Sequence, residues 1–214
     1  MHWQAVNTRN QGYELIGDIN KVLGFWFGLE KDQKEVIRQQ SGLWWGKDAD
    51  TDLYINEQFG ELYQLAINDK LDDWLNSIKG QLALIIVLDQ FSRVIHRDSA
   101  AAFSQDSKAL KIALEGISKG YDDALSFVER IFYYMPLEHS ENLGNQSQSV
   151  ELFQKLLFEV PEDMKQEIRS NLQFAEKHKE VIERFHRFPH RNKVLNRISN
   201  AEELAFLTQP GSSF

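Results

Sequence analysis

An all-α fold is predicted by three observations. Apolar residues recur at steps of three and four almost throughout the chain, no run alternates convincingly at period two, and only four prolines and twelve glycines interrupt 214 residues. The first stripe is Leu15, Ile19, Val22, Leu23, Trp26 and Phe27. Gly42 to Gly46, with Trp44-Trp45 between them, reads as a loop that could wall a pocket. Leu53, Ile55, Phe59, Leu62, Leu65 and Ala66 form the next stripe. Leu84 to Leu88 is so wholly apolar that its helix must be buried on most faces. Leu110, Ala113, Leu114 and Ile117 form a shorter stripe closed by Gly120. The aromatic run Phe132-Tyr133-Tyr134 is ended by Pro136, and Ser140 is placed to cap the next helix with Glu141 in its first turn. Ile168, Leu172, Ala175, His178, Ile182 and Phe185 form a long last stripe. Pro136, Pro161, Pro189 and Pro210 are each expected at or outside a helix end.

No Pro-, Ser- or charge-rich linker divides the chain, so one helical domain over residues 12–208 is expected, with a flexible extension at 1–11 and a tail at 209–214. A short internal echo runs through it. Leu71-Asp72-Asp73-Trp74-Leu75 resembles Tyr121-Asp122-Asp123-Ala124-Leu125, and an apolar-acid-polar step follows each, at Leu88-Asp89-Gln90 and Leu137-Glu138-His139. A repeated helical hairpin would produce this, and so would chance.

Composition removes several classes of function. A formal charge of −8 argues against a general binder of nucleic acid or of anionic membrane surfaces. Without cysteine there is no disulfide, thiolate nucleophile or thiolate metal ligand. The longest apolar stretch, Leu82 to Leu88, falls far short of the roughly 20 residues that cross a bilayer. The N-terminal residues lack the pattern of a signal peptide, so a cytoplasmic location is the default expectation.

Against that acidic background, the stretch from Arg184 to Asn192, continued by Lys193 and Arg197, holds five cations and two histidines beside the acid Glu183. Reversed charge costs self-repulsion unless an anion answers it, and the anion can be internal or a ligand. Pro189 makes the Phe-Pro-His-Arg-Asn turn rigid and holds His190 and Arg191 at the end of a helix. Upstream, Asp89 closes the apolar run, with Arg93 and Arg97 four and eight residues on, one helix face for all three. A buried carboxylate needs a partner, and Arg93 is the nearest. The pair is either a structural tie or a device that leaves Arg97 and His96 for an anion. His139 and Glu141 follow Pro136 and offer an acid/base pair or two metal ligands. His178 lies on an inward stripe, either satisfied by one buried hydrogen bond or facing the same interior as His139.

Together these segments resemble a widespread bacterial family of uncharacterised helical proteins, the domain-of-unknown-function family 924. The resemblance is carried, over about residues 20 to 208, by Val22 to Gly28, Trp44-Trp45, Leu88-Asp89-Gln90-Phe91-Ser92-Arg93 with Arg97, Met135 to Glu141, His178, Arg187 to Asn192, and Leu195 to Arg197. It implies a TPR-like right-handed superhelix of antiparallel helix pairs in a single domain. The chain departs from the family pattern at Ser92, where Pro is usual, at His186 and Asn196, where Gly is usual, and at Asn142, where Asp is usual. The family name carries no activity.

The resulting expectation is a polar pocket for a small anionic ligand. Asp89, Gln90, Arg93, Arg97, Arg187, Arg191 and Asn192 would bind it, and His139, Glu141, His178 and His190 would supply acid/base chemistry. No metal or cofactor is expected, because the surrounding arginines repel a cation. Two other readings stand beside it: a groove that clamps an acidic peptide, and a buried network in which the acids and arginines neutralise one another.

Overall fold

The strongest local signals in the chain are helix caps, and they set the element order. A computed structural model describes residues 18–212, and every regular element among them is helical. The extension read at 1–11 and the first stripe residue, Leu15, lie outside the described residues. Residues 18–27 form α1, whose chain leaves at Gly28 with φ +75°, a left-handed turn that glycine adopts without steric penalty. Asp32 caps α2 (Gln33–Trp45) and Asp48 caps α3 (Ala49–Ile67), each by accepting backbone N–H groups of the first turn. A 3₁₀ turn (Asp72–Asn76) leads to Ser77, the cap of α4 (Ile78–Ile85). This helix passes without a break into a π-helical segment, Ile86–Phe91, and a last α-helical turn, α5 (Ser92–Ile95).

The second half repeats that plan. After α6 (Asp106–Ser118), a 3₁₀ turn (Asp122–Ala124) leads to Ser126, which caps α7 (Phe127–Glu138) in a reciprocal box with Glu129. Asn142 caps α8 (Leu143–Glu159), a 3₁₀ turn (Glu162–Met164) opens α9 (Lys165–Phe185), another (Pro189–Arg191) follows, and Asn200 caps α10 (Ala201–Leu207). Thus both members of the sequence echo form a 3₁₀ turn, a serine cap and a helical run carrying a buried acid, Asp89 within the π segment of one and Glu138 at the end of the other.

The core runs along the middle of this stack. Helix α4 packs on α6 and α7, α3 packs on the π segment and α5, and α7 on α8, which lies along α9. Trp26, Phe91 and Phe132 meet edge to face near its centre, with ring centroids 5.4–5.6 Å apart. The whole run Leu82–Phe91 is buried, as its composition requires.

Three local expectations are corrected. Gly42 to Trp45 is the last turn of α2, not a loop: Trp44 is buried and its indole N–H donates to the Trp26 carbonyl at 2.9 Å, a tertiary contact that outweighs the glycine. Pro136 lies inside α7, which continues two residues past it to Glu138; the ring removes only one ladder hydrogen bond, and the His139 N–H still closes on the Met135 carbonyl at 3.0 Å. The cap of α8 is Asn142, whose side chain accepts from the Asn145 N–H, whereas Ser140 accepts from the Asn145 side chain. Asparagine caps as well as serine does, and the chain turns two residues later than expected.

His186 and Asn196 adopt φ of +56° and +53°, the left-handed region that favours glycine. Asparagine tolerates it, but histidine is strained there by roughly 1–2 kcal/mol. His186→Gly is therefore expected to stabilise the fold by about 0.5–1 kcal/mol after the larger unfolded-state entropy of glycine is subtracted. A urea titration reads this as a higher midpoint at unchanged slope, and Asn196→Gly should give a smaller gain.

Candidate functional site

The polar residues singled out in sequence do not form one cluster. The cations between Arg184 and Arg197 separate into an outer set and an inner one. In the outer set, Arg184 pairs with Glu202 at 2.8 Å, Arg187 reaches both carboxylate oxygens of buried Glu203 at 2.5 and 2.7 Å, and Arg197 reaches both of Glu141 at 2.7 and 2.9 Å. Glu141 also accepts the Phe188 N–H at 2.8 Å, and Arg197 holds Glu141 acidic against the upward push of burial. Asn192 is buried and donates to Ser199 Oγ at 3.0 Å. Glu141, Arg187 and Asn192 thus fasten the turn after α9 to α10 and to the start of α8, and none of them lines the cavity described next.

The inner set faces a cavity of about 490 Å³. Gln90, Arg93, Arg97, His139, His178, His190 and Arg191 all line it, drawn from four separate stretches of chain, with Trp45, Asp52 and Phe103 completing the walls. Each arginine is held from behind. Arg93 meets Asp89 at 3.2 Å and Asp106 at 3.0 Å. Arg191 meets Asp106 at 3.1 Å, and its guanidinium lies between the rings of Phe103 and Phe188, 4.5 Å from each centroid. Arg97 does not share the Asp89 face. The helix ends at Ile95, and Arg97 turns to Asp52 of α3 in a two-point pair at 2.7 and 2.8 Å. The His96 ring packs tilted against Tyr63, 5.2 Å between centroids, and His96 is not among the lining residues.

Asp89 lies fully buried beneath this floor. It accepts from Gln90 Nε2 at 2.6 Å and pairs with His139 Nδ1 at 2.7 Å. Burial pushes its carboxyl up, but Arg93 and His139 together hold it below the usual carboxylate range, so it is ionised. Burial and then Arg93 lower His139, which is therefore neutral. An ionised Asp89 can only accept, so His139 must carry its proton on Nδ1 and leave Nε2 with a lone pair. The π turn between Ile86 and Phe91 carries both Asp89 and Gln90; such widened turns often mark functional positions, because one extra residue re-aims the side chains.

His178 Nδ1 bonds to the Phe174 carbonyl at 2.8 Å, the satisfied core histidine of one sequence reading, and its ring also faces His139 with 6.4 Å between centroids, as the other requires. Burial drives it down to about 3 and His190 down to about 4. His139 and Glu141 take separate partners, and no group of three His, Asp or Glu side chains among the described residues is arranged to hold a metal ion.

Sequence reasoning missed three acids. Asp52 and Asp106 lie in the first turns of α3 and α6, where acids are favoured without any partner, so nothing in the sequence marks them. Glu138 was legible by the argument used for Asp89, since it too closes an apolar run. It is buried, and burial with the nearby Asp89 charge pushes it up to about 8, so it is protonated at neutral pH. The sign follows: the unfolded chain releases this proton near 4.5 and the folded chain near 8, so Glu138 destabilises the fold increasingly as pH rises between them. Glu138→Gln is expected to raise Tm at pH 8 by several degrees and to be indistinguishable from the parent near pH 4.5.

Comparison with known proteins comes to the same architecture. A family model described as bacterial protein of unknown function (DUF924) matches residues 22–211. A solved structure of a protein of unknown function from Agrobacterium tumefaciens is 32% identical, superposes with a TM-score of 0.75, and the match covers 90% of this chain and 97% of that one. No curated protein matches.

Proposed function

Since this chain belongs to the DUF924 family of bacterial proteins of unknown function, we propose from its own geometry that it binds a small anionic molecule in the inner cavity, with Asp89 and His139 positioned to take a proton from it. The observation that carries this reading is convergence. Three arginines and three histidines from distant stretches line one cavity of small-molecule size, about 490 Å³. The half-buried acids orient the guanidinium groups without using all their donors: Arg97 engages Asp52 through Nε and Nη2, and Arg191 engages Asp106 through Nη1. His139, fixed by Asp89, has the arrangement of a general base and its orienting acid. In this reading the helix pairs form a TPR-like right-handed superhelix. Its support is the repeated order of 3₁₀ turn, serine cap, helix and buried acid, which brings Asp89 and Glu138 to matching places.

A second reading has its own support, because every arginine named above has a carboxylate partner; the network would then be structural throughout. Thermal shift with inorganic phosphate and small carboxylates, in buffer free of both, separates the two. A ligand at about 100 times its Kd adds about 2.7 kcal/mol, a rise in Tm of roughly 5–10 °C for a chain of this size. Arg191→Ala is expected to abolish that rise while lowering its own Tm only modestly, since Asp106 keeps Arg93. No shift in the parent, with Arg191→Ala strongly destabilised, would establish the structural network instead.

A further inference from the structure

A second cavity of about 340 Å³ adjoins the first and shares Trp45, Met135, His139 and His178 with it. We propose that this chamber receives the hydrocarbon body of the ligand, and that the ligand is a monocarboxylic acid whose carboxylate lies among Arg93, Arg97 and Arg191. The inference rests on the anion-binding reading above and names its ligand class.

Three features carry it. The chamber walls include Trp45, Met135 and Phe174 and contain no lysine or arginine, so an anionic group is drawn to the neighbouring cavity and not to this one. Trp45 and Phe174 are each about half exposed, at 51% and 50%, a large uncovered apolar area that an occupant would bury. Two acids stand in the wall: Glu138, which is buried and held protonated by its surroundings, and Glu167, which is only partly buried, so the buried part of the wall presents no repelling charge to an apolar chain. The charge of the guest follows from local balance. Arg93, Arg97 and Arg191 are balanced by their partners Asp52, Asp89 and Asp106, and the other charged wall residues are Lys47, Asp48 and Asp98, so the cavity carries no net positive charge and disfavours a phosphate dianion more than a singly charged guest.

Calorimetric titration with acetate, butanoate, hexanoate and octanoate, and with the alcohols of the same lengths, tests this. Ser170 lines the chamber from an exposed position, so Ser170→Phe can fill it at little risk to folding. In the parent protein, affinity for the acids should rise about fourfold per methylene removed from water, or roughly 15-fold per two-carbon step, up to hexanoate. Ser170→Phe should flatten that rise and leave acetate binding within about twofold, the effect of a remote surface change. Acids that bind with no dependence on length, or an unchanged dependence in Ser170→Phe, would overturn the chamber while leaving the anion reading in place. Alcohols that bind as well as acids would overturn the monocarboxylate proposal and the anion reading together. No binding of any acid would overturn the proposal as well, and the phosphate arm of the preceding experiment would then decide the anion reading by itself.

Discussion

Replacing Asp89 with alanine is expected to lower stability by about 3 kcal/mol, the lower end of the range for removing one partner of a buried ion pair. Asp89 is fully buried and is the acceptor for His139, Gln90 and Arg93 at once. The loss stays at the lower end because Arg93 keeps Asp106 at 3.0 Å. For a chain of this length, that corresponds to a fall in Tm of roughly 6–12 °C. The loss should depend on pH. The folded-state pKa of Asp89 is depressed, so its stabilising contribution is present above the ordinary value of 3.8 and disappears as pH falls through the lowered one. Calorimetric scans of the parent and Asp89→Ala should therefore differ most at neutral pH and approach each other in acid. Asp89→Asn keeps the volume and can still accept from His139, so it should lose less. An Asp89→Ala protein as stable as the parent at pH 7 would mean that the carboxylate contributes nothing net.

Gly116→Ala is expected to destabilise the protein by about 2–4 kcal/mol, although alanine is the better helix former by about 1 kcal/mol. Gly116 lies in α6 and is buried. A methyl group there would stand 1.7 Å from the Tyr133 hydroxyl oxygen and 2.8 Å from Gln81 Oε1. The Tyr133 hydroxyl donates to that same Gln81 oxygen at 2.8 Å, a buried bond joining α7 to α4. Displacing it combines overpacking, about 1–3 kcal/mol, with the loss of a buried hydrogen bond, about 1–3 kcal/mol. Tyr133→Phe in the same chain should recover part of the loss, because the hydroxyl is the closest obstacle. A Gly116→Ala protein that melts above the parent would show that helix propensity outweighs the contact.

These two residues mark the two limits of what the sequence discloses. Asp89 was legible as a buried acid because it closes a run of apolar residues that no partly exposed helix would carry. Its partner Arg93 was legible from helical spacing, which the π turn leaves intact at that step. Arg97, one step further, was not: the helix ends at Ile95, and its carboxylate is on α3. Gly116 gave no signal at all, because its meaning depends on the distance to a tyrosine on another helix.

Much was therefore determined by the chain read alone. Period, caps and the scarcity of breakers decide that the protein is helical; the apolar run decides which helix is innermost; and the density of cations after α9 shows that anions must answer it, from the fold or from a ligand. All of these are properties of neighbours in sequence, within one or two helical turns. Tertiary structure alone decided which carboxylate answers which cation: Glu141 to Arg197, Glu203 to Arg187, Asp106 to both Arg93 and Arg191. It likewise decided that Glu141, Arg187 and Asn192 stand away from the cavity while His139 faces it and Glu138 faces the adjoining chamber. The physical reason is range. An ion pair needs its atoms within about 4 Å, and the helices that bring Asp106 and Arg191 that close are 85 residues apart in the chain.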